Sequence, residues 1–292
     1  MSIEVTKPGS RGPASYKIQK NRSAAVIFIV LLLGAVTVIF PFFWMVMTSF
    51  DWVAVRTIPF PPRLWPKEFT FRTYQVALTN VPIVKYMLNS VFISAAVILI
   101  SVSSAMLAGY SLSKLRFKGA GAVLVIILST MMVPFETTMI SQYKLFKFFG
   151  LTDNYAAFFL PAITYSFGTF LAKQYLDSLP DTLRDAARID GANEFRIFIR
   201  IYFPLLTNIT ATLSILQFLD NWNALLWPML ILSSPEKYTV QIGLAMYNYT
   251  RGSSMPAIML AATSLSIVPI LIFYLAMQRH IVQSIAYSGL KQ

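Results

Sequence analysis

DAARIDGANEFRIFIRIYFP, residues Asp185–Pro204, is the most charged segment of the middle of the chain, and long apolar segments lie on both sides of it. Leu183, Ala186, Ala187 and Asp190 precede a single glycine at spacings of three and four. Phe195, Phe198, Ile199 and Tyr202 follow it in the same way. Such spacing places each set on one face of a helix. Gly191 stands between the two sets, where a bend without a side chain can be made. The stretch therefore predicts helix, bend, helix in a water-facing loop of a membrane protein.

The composition sets that loop in its context. Of the 292 residues 56% are hydrophobic, and only 12% are charged. A soluble domain carries about 25% charged residues. The mean hydropathy of +0.62 agrees with the membrane class. The net charge of +12 does not indicate a nucleic-acid partner, because the basic residues are scattered in short clusters between apolar runs. Absence of cysteine excludes thiol and disulfide chemistry, and a lone His280 excludes a multi-histidine metal site.

Six segments are long enough to cross ~30 Å of hydrocarbon: 24–48, 86–112, 119–141, 155–176, 205–232 and 257–279. Residues 1–23 read as a disordered basic tail, and 281–292 as a C-terminal tail. The first apolar run is too long for the h-region of a signal peptide, so it reads as an uncleaved span. Prolines at 134, 161 and 228 break the third, fourth and fifth spans. Freed backbone groups at such breaks need neighbouring helices or a cavity, which favours a bundle with a polar interior. The larger share of Lys and Arg falls on the side holding the N-terminal tail, Lys114–Lys118 and the 181–204 loop. The positive-inside rule puts that side, with both termini, in the cytoplasm.

The fifth span holds the candidate path residues Gln217, Asp220, Asn221, Trp222 and Asn223, preceded by Asn208, Thr210, Thr212 and Ser214. An acid at membrane depth should face a bundle interior or water. Asp220 reads either as a path lining for a polar solute or as a solvated group near an interface. Glu136 reads either as part of a path wall or as an exposed helix end. Trp222, Trp227, Phe218 and Leu226 could stack on a sugar face, or could simply pack or anchor at an interface. No G-x-x-x-x-G-K-[ST] loop, no G-x-G-x-x-G turn and no nucleophile–base pair occurs. Any chemical fuel is therefore bound by another subunit. A motor-free carrier or channel would have to use Glu136 and Asp220 for its driving ion, and no second half echoes the first. A membrane-embedded enzyme lacks a recognisable nucleophile, base or metal cluster.

The loop D-A-A-R-I-D-G-A…P resembles the E-A-A…G…I-x-L-P loop of ATP-binding-cassette (ABC) importer permeases, matching at Ala186, Ala187, Asp190, Gly191, Ala192, Phe198, Ile201 and Pro204. The likeness extends to Asn89–Val97, Leu107–Gly119 and Trp222–Pro228, and to the carbohydrate-uptake branch, in particular its maltose-type second, smaller permease. The resemblance implies an all-α integral membrane protein with six transmembrane helices in the type I importer permease architecture. It implies a heterodimer with a related permease, two copies of a cytoplasmic ATPase that bind ATP and Mg, and an extracytoplasmic binding protein delivering an oligosaccharide or monosaccharide. This chain would hold no cofactor and sit in the bacterial cytoplasmic (inner) membrane. Its coupling helix would dock on the ATPase through Asp185, Ala186, Ala187, Asp190, Gly191, Ala192, Asn193, Phe195, Phe198 and Pro204, and the Gln283–Gln292 tail would approach the same subunit. Two residues depart from the pattern: Asp185 is one methylene shorter than the family's glutamate, and Phe203 replaces a leucine. Glu136 stands where relatives commonly carry an uncharged residue.

Overall fold

The computed structural model describes the backbone of residues 13–252 and 255–289, with side chains over 24–250 and 255–278. Its helices run in the order α1 (Pro13–Ser49), α2 (Arg72–Asn80), α3 (Ile83–Lys114), α4 (Ala120–Thr130), α5 (Phe135–Phe148), α6 (Ala156–Ala162) and α7 (Ser166–Asp177). They continue as α8 (Thr182–Ile189), α9 (Glu194–Ile197), α10 (Phe203–Leu205), α11 (Thr207–Asn223), α12 (Leu226–Ile231), α13 (Val240–Tyr247) and α14 (Pro256–Gly289). Among the described residues there is no β-strand, only one isolated bridge between Asp51 and Phe69.

The expected spans appear as three uninterrupted helices and several broken ones. Ala24–Ser49, Ile83–Lys114 and Pro256–Gln278 are each long and apolar enough to cross a membrane. The third expected span is α4 and α5, bent by 95° at Pro134, whose extended ψ of 137° cannot continue a helix. The fourth is split into α6 and α7, each too short to cross alone. Pro161 lies next to the end of α6, where its missing N–H removes a helical bond. The fifth is α11 followed by α12, interrupted where Ala224 turns extended. Pro228 then falls in the first turn of α12, where an amide donor would be unpaired in any case.

Both terminal helices outrun their expected spans. The basic stretch expected to be a tail is helical from Pro13, because nothing between that residue and Pro41 interrupts helix geometry and proline suits a first helical position. At the other end α14 continues to Gly289, so the expected 281–292 tail is helical over most of its length. Residues 1–12 and 290–292 lie outside the described residues.

Helix α3 is the spine, and three apolar clusters lie along it. Ile83 and Tyr86 pack with α2, α13 and α14. Ile93 and Val97 pack with α6 and α12. Val102, Met106 and Tyr110 pack with α7 and the 181–204 stretch. The tightest seam joins α3 to α7. Ala105 and Gly109 on one helix face Gly168 and Ala172 on the other, each pair one turn apart. A Cβ on Gly109 would lie 2.7 Å from the Ala172 Cβ and 2.9 Å from the Lys173 amide nitrogen. Small residues at such a contact let two backbones approach closely in a membrane.

In contrast, α1 is exposed from residue 24 to 43, and α4 buries none of its side chains. Apolar surface of that extent belongs against lipid or another subunit.

Replacing Gly109 by leucine should separate the spine from α7. A forced shift of this kind costs ~1–3 kcal/mol or more, read as a fall in melting temperature in detergent. Gly34→Leu is the control, since a side chain there meets nothing within 4 Å. Equal melting temperatures for the two variants would refute the seam.

Candidate functional sites: the 181–204 hairpin and a polar cavity

The hairpin is built by local chain chemistry. Helix α8 ends in a Schellman arrangement: the Ala192 amide donates to the Ala187 carbonyl at 3.0 Å, and the Gly191 amide donates to that of Arg188 at 3.0 Å. This closure needs a left-handed residue, and Gly191 has φ +76° with nothing within 4 Å of a notional Cβ. Glycine is required there for its backbone, not for space. Asn193 then caps α9, its Oδ1 accepting from the Arg196 amide at 2.8 Å. Pro204 has no amide hydrogen to give to Arg200, and the chain widens just before it into a π-turn, Phe198–Tyr202, with Phe203 donating to the Phe198 carbonyl.

Glu194 fastens the two arms across the bend. Arg184 grips its carboxylate as a fork, Nη2 to Oε1 at 2.9 Å and Nε to Oε2 at 3.1 Å. Arg188 Nε donates to Oε1 at 2.8 Å. The Tyr110 hydroxyl, on α3, donates to Oε2 at 2.7 Å. Burial pushes the Glu194 carboxyl up, but the hydrogen bonds from Arg184, Tyr110 and Arg188 outweigh it and hold the group below its ordinary range.

Two further acids tie the hairpin base to the end of α3. Lys114, almost wholly buried, donates to Asp181 Oδ1 at 2.7 Å and to the Leu179 carbonyl at 2.7 Å. Arg116 completes the pair on Oδ2 of Asp181. The hydrogen bond from Lys114 holds the Asp181 carboxyl below the usual carboxylate range. Asp177 accepts from Ser113 at 2.7 Å and from Lys173 at 2.6 Å.

With its inner face fixed, the hairpin presents a distinct outer face. Ala187 and Phe198 are buried in the cluster with Tyr110, and Ala192 packs against it. Asp185, Ala186, Asp190, Asn193, Phe195 and Pro204 are exposed, and Asp185 forms no ion pair among the described residues. Ile189 is 88% exposed and Phe195 68%, so two large apolar side chains stand out at the tip. The sequence reading missed Ile189. Its signal was available: it is the one large aliphatic residue in the charged run Arg184–Asp190.

The second candidate lies at the far end of α11. Gln217 and Asn221, one turn apart, face a cavity of about 200 Å³ walled by α5, α6, α12 and the α6–α7 break. Gln142, Tyr165, Phe135 and Trp227 are also on its wall. The Asn221 amide nitrogen is used by the Gln217 carbonyl at 2.8 Å. The side chains of Gln142 and Gln217 and the Tyr165 hydroxyl have no hydrogen-bond partner among the described residues.

The other expected path residues do not line this cavity. Asp220, Asn223 and Glu136 are exposed. Trp222 is fully buried and stacks on Phe218, at 5.4 Å between ring centres, and Phe218 stacks on Phe273 of α14. Of the polar series before the cavity, Thr212 and Ser214 donate to carbonyls one turn back and so satisfy themselves. Asp153 ties two walls of the cavity together. Its carboxylate accepts from the Ser233 and Ser234 amides at 3.0 Å each, the Ser234 hydroxyl at 2.6 Å and Lys237 Nζ at 2.9 Å. These bonds, led by that from Lys237, hold the Asp153 carboxyl far below its ordinary value.

The model of the family described as binding-protein-dependent transport system inner membrane component matches residues 101–287. The chain belongs to this family. It is thus the non-catalytic permease component of an ABC importer, a multi-pass membrane protein. It is similar to the arabinooligosaccharides transport system permease of Halalkalibacterium halodurans, 37% identical over 70% of this chain and 72% of that one. It is also similar to the lactose transport system permease of Rhizobium radiobacter, 33% identical over 88% and 93% of the two chains. A crystal structure of a bacterial ABC transporter involved in the import of the acidic polysaccharide alginate contains a chain of the same fold. That chain superposes with TM-score 0.77 and 25% identity over 94% of this chain and all of its own length.

The Asp153 tie carries a pH signature. A depressed carboxyl contributes stability that is complete above its unfolded value and is lost as pH falls through the folded one. Melting temperature should therefore hold steady at neutral pH and fall below about pH 4. Asp153→Asn should lower it at pH 7 and flatten the acid branch. If the variant and the parent fall in parallel below pH 4, the tie is not the titrating element.

Proposed function

We propose that this permease is one of two unlike membrane subunits of a sugar importer. The 181–204 hairpin faces the cytoplasm and docks on an ATPase, present in two copies, that binds ATP and Mg. A binding protein delivers an oligosaccharide or monosaccharide from outside, and both termini of this chain are cytoplasmic. The observation that carries the reading is the hairpin itself. Its inner face is locked to α3 and α7, while Ile189, Phe195 and the unpaired Asp185 project outward. A lever needs that arrangement: a rigid root and an apolar tip rimmed by charge. The names of the relatives, for arabinooligosaccharides, lactose and alginate, support the solute class. ATP binding would act through differential affinity of the tip for open and closed ATPase states, which shifts the permease between inward- and outward-facing forms.

The test is reconstitution with the companion permease, ATPase and binding protein in proteoliposomes, with uptake of labelled lactose and arabino-oligosaccharides. Proline cannot adopt the φ of +76° at Gly191. Gly191→Pro should abolish both uptake and sugar-stimulated ATP hydrolysis. Ile189→Asp with Phe195→Asp should do the same without lowering the melting temperature, a loss on the order of tenfold or more for a buried apolar anchor. Uptake that survives ATP removal but stops with an uncoupler would show a secondary carrier instead.

A further inference from the structure

Resting on that reading, we propose that the cavity beside Gln217 is a contact site for an uncharged glycosyl unit, and that Asp220 makes it reject anionic sugars. The wall has the chemistry of a neutral polyol site. Gln142, Gln217 and Tyr165 bring unpartnered donors and acceptors to one space of about 200 Å³. Two aromatic residues, Phe135 and Trp227, form an apolar side, packed edge to face at 5.8 Å. The Trp227 ring is held by its Nε1 donating to the Ala157 carbonyl at 3.2 Å. Apolar walls with a few convergent polar groups are what small-molecule sites share.

Charge decides which polyol. No Lys, Arg or His lines the cavity, so nothing there would offset a carboxylate or phosphate. Asp220 is exposed, three residues from Gln217 on the same helix, and close enough to Tyr165 for the two side chains to interact electrostatically. An ionised acid beside a low-dielectric wall repels anions and concentrates cations. The fold is shared with a transporter of an acidic polysaccharide, so the charge of this wall, not the architecture, would set the solute class.

The chain has no cysteine, which makes a direct test clean. Gln217→Cys is placed in the full importer in native membranes. It is then labelled with methanethiosulfonates carrying either a trimethylammonium or a sulfonate group, and modification is read from the mass of this chain. After correction for their rates with a free small thiol, the cationic reagent should react about tenfold faster, and Asp220→Asn should bring the ratio close to one. Equal rates in the parent, or a ratio untouched by Asp220→Asn, overturns the charge filter. Failure of both reagents at 217, with ready labelling of Glu136→Cys, overturns water access to the cavity. In the lactose and arabino-oligosaccharide uptake assay, Gln217→Leu with Tyr165→Phe should cut uptake about fivefold or more, as loss of two hydrogen bonds requires, while binding-protein-stimulated ATP hydrolysis persists. Unchanged uptake overturns the contact. The labelling outcomes do not depend on ATP-driven sugar uptake, so a failure of the filter and a failure of the importer reading are told apart.

Discussion

The Glu194 carboxylate is the point on which the hairpin depends. It accepts from two arginines of the first arm and from a tyrosine of the spine while belonging itself to the second arm. Helices of eight and four residues are marginal alone, and Glu194 adds directional bonds between them to the apolar cluster beneath. Arg184 is mostly buried and has no other carboxylate partner among the described residues, so pair and position are fixed together. The bidentate fork adds direction to the attraction. Gly191 permits the bend, and Glu194 sets it.

From that point rigidity spreads along two routes. The first runs up α3, through Lys114 and Asp181 and then the Gly109–Ala172 seam. The second runs along α11, which begins three residues beyond Pro204 and reaches Gln217 and Asn221 ~15–20 Å further on at 1.5 Å per residue. Both routes end at the same cavity, because Val97 of α3 shares its wall with Gln217. Both walls are thus connected to the hairpin, one through the spine and one through α11, which is bent by 78° from the helical stretch before it. Packed interiors shift as bodies rather than deform continuously.

The sequence disclosed these features unevenly. The hairpin was legible because its signals are local: helical spacing on both sides of a glycine; the asparagine that caps its second arm was not read as a cap. The spans were legible from length and apolar content, and the breaks from Pro134, Pro161 and Pro228. The ends of α1 and α14 were not, since polar composition says little about whether a helix already begun will continue. The cavity was half legible. Gln217 and Asn221 come from one helix at a readable spacing, whereas Gln142 and Tyr165 join them only through tertiary packing. Trp222 shows the opposite effect: it directly follows Asn221, and the rotation between neighbouring helical residues takes it off the cavity and stacks it on Phe218.

The seam and the hairpin are held in different ways, and the chain builds them from different residue types. Between α3 and α7 the helices must not part, and the contact is made of glycine and alanine, whose fit is lost with any added atom. Around the bend the contact is made of charges that bond inward, while Ile189 and Phe195 face out. Such a half-buried ion-pair cluster is by itself weak evidence for stability, since apolar replacements of buried pairs are often neutral or stabilising. Its directional bonds accept only one arrangement of Arg184, Arg188, Glu194 and Tyr110, whereas apolar packing tolerates several. A hairpin that carried a force to α3, as proposed, would need that single arrangement more than extra stability.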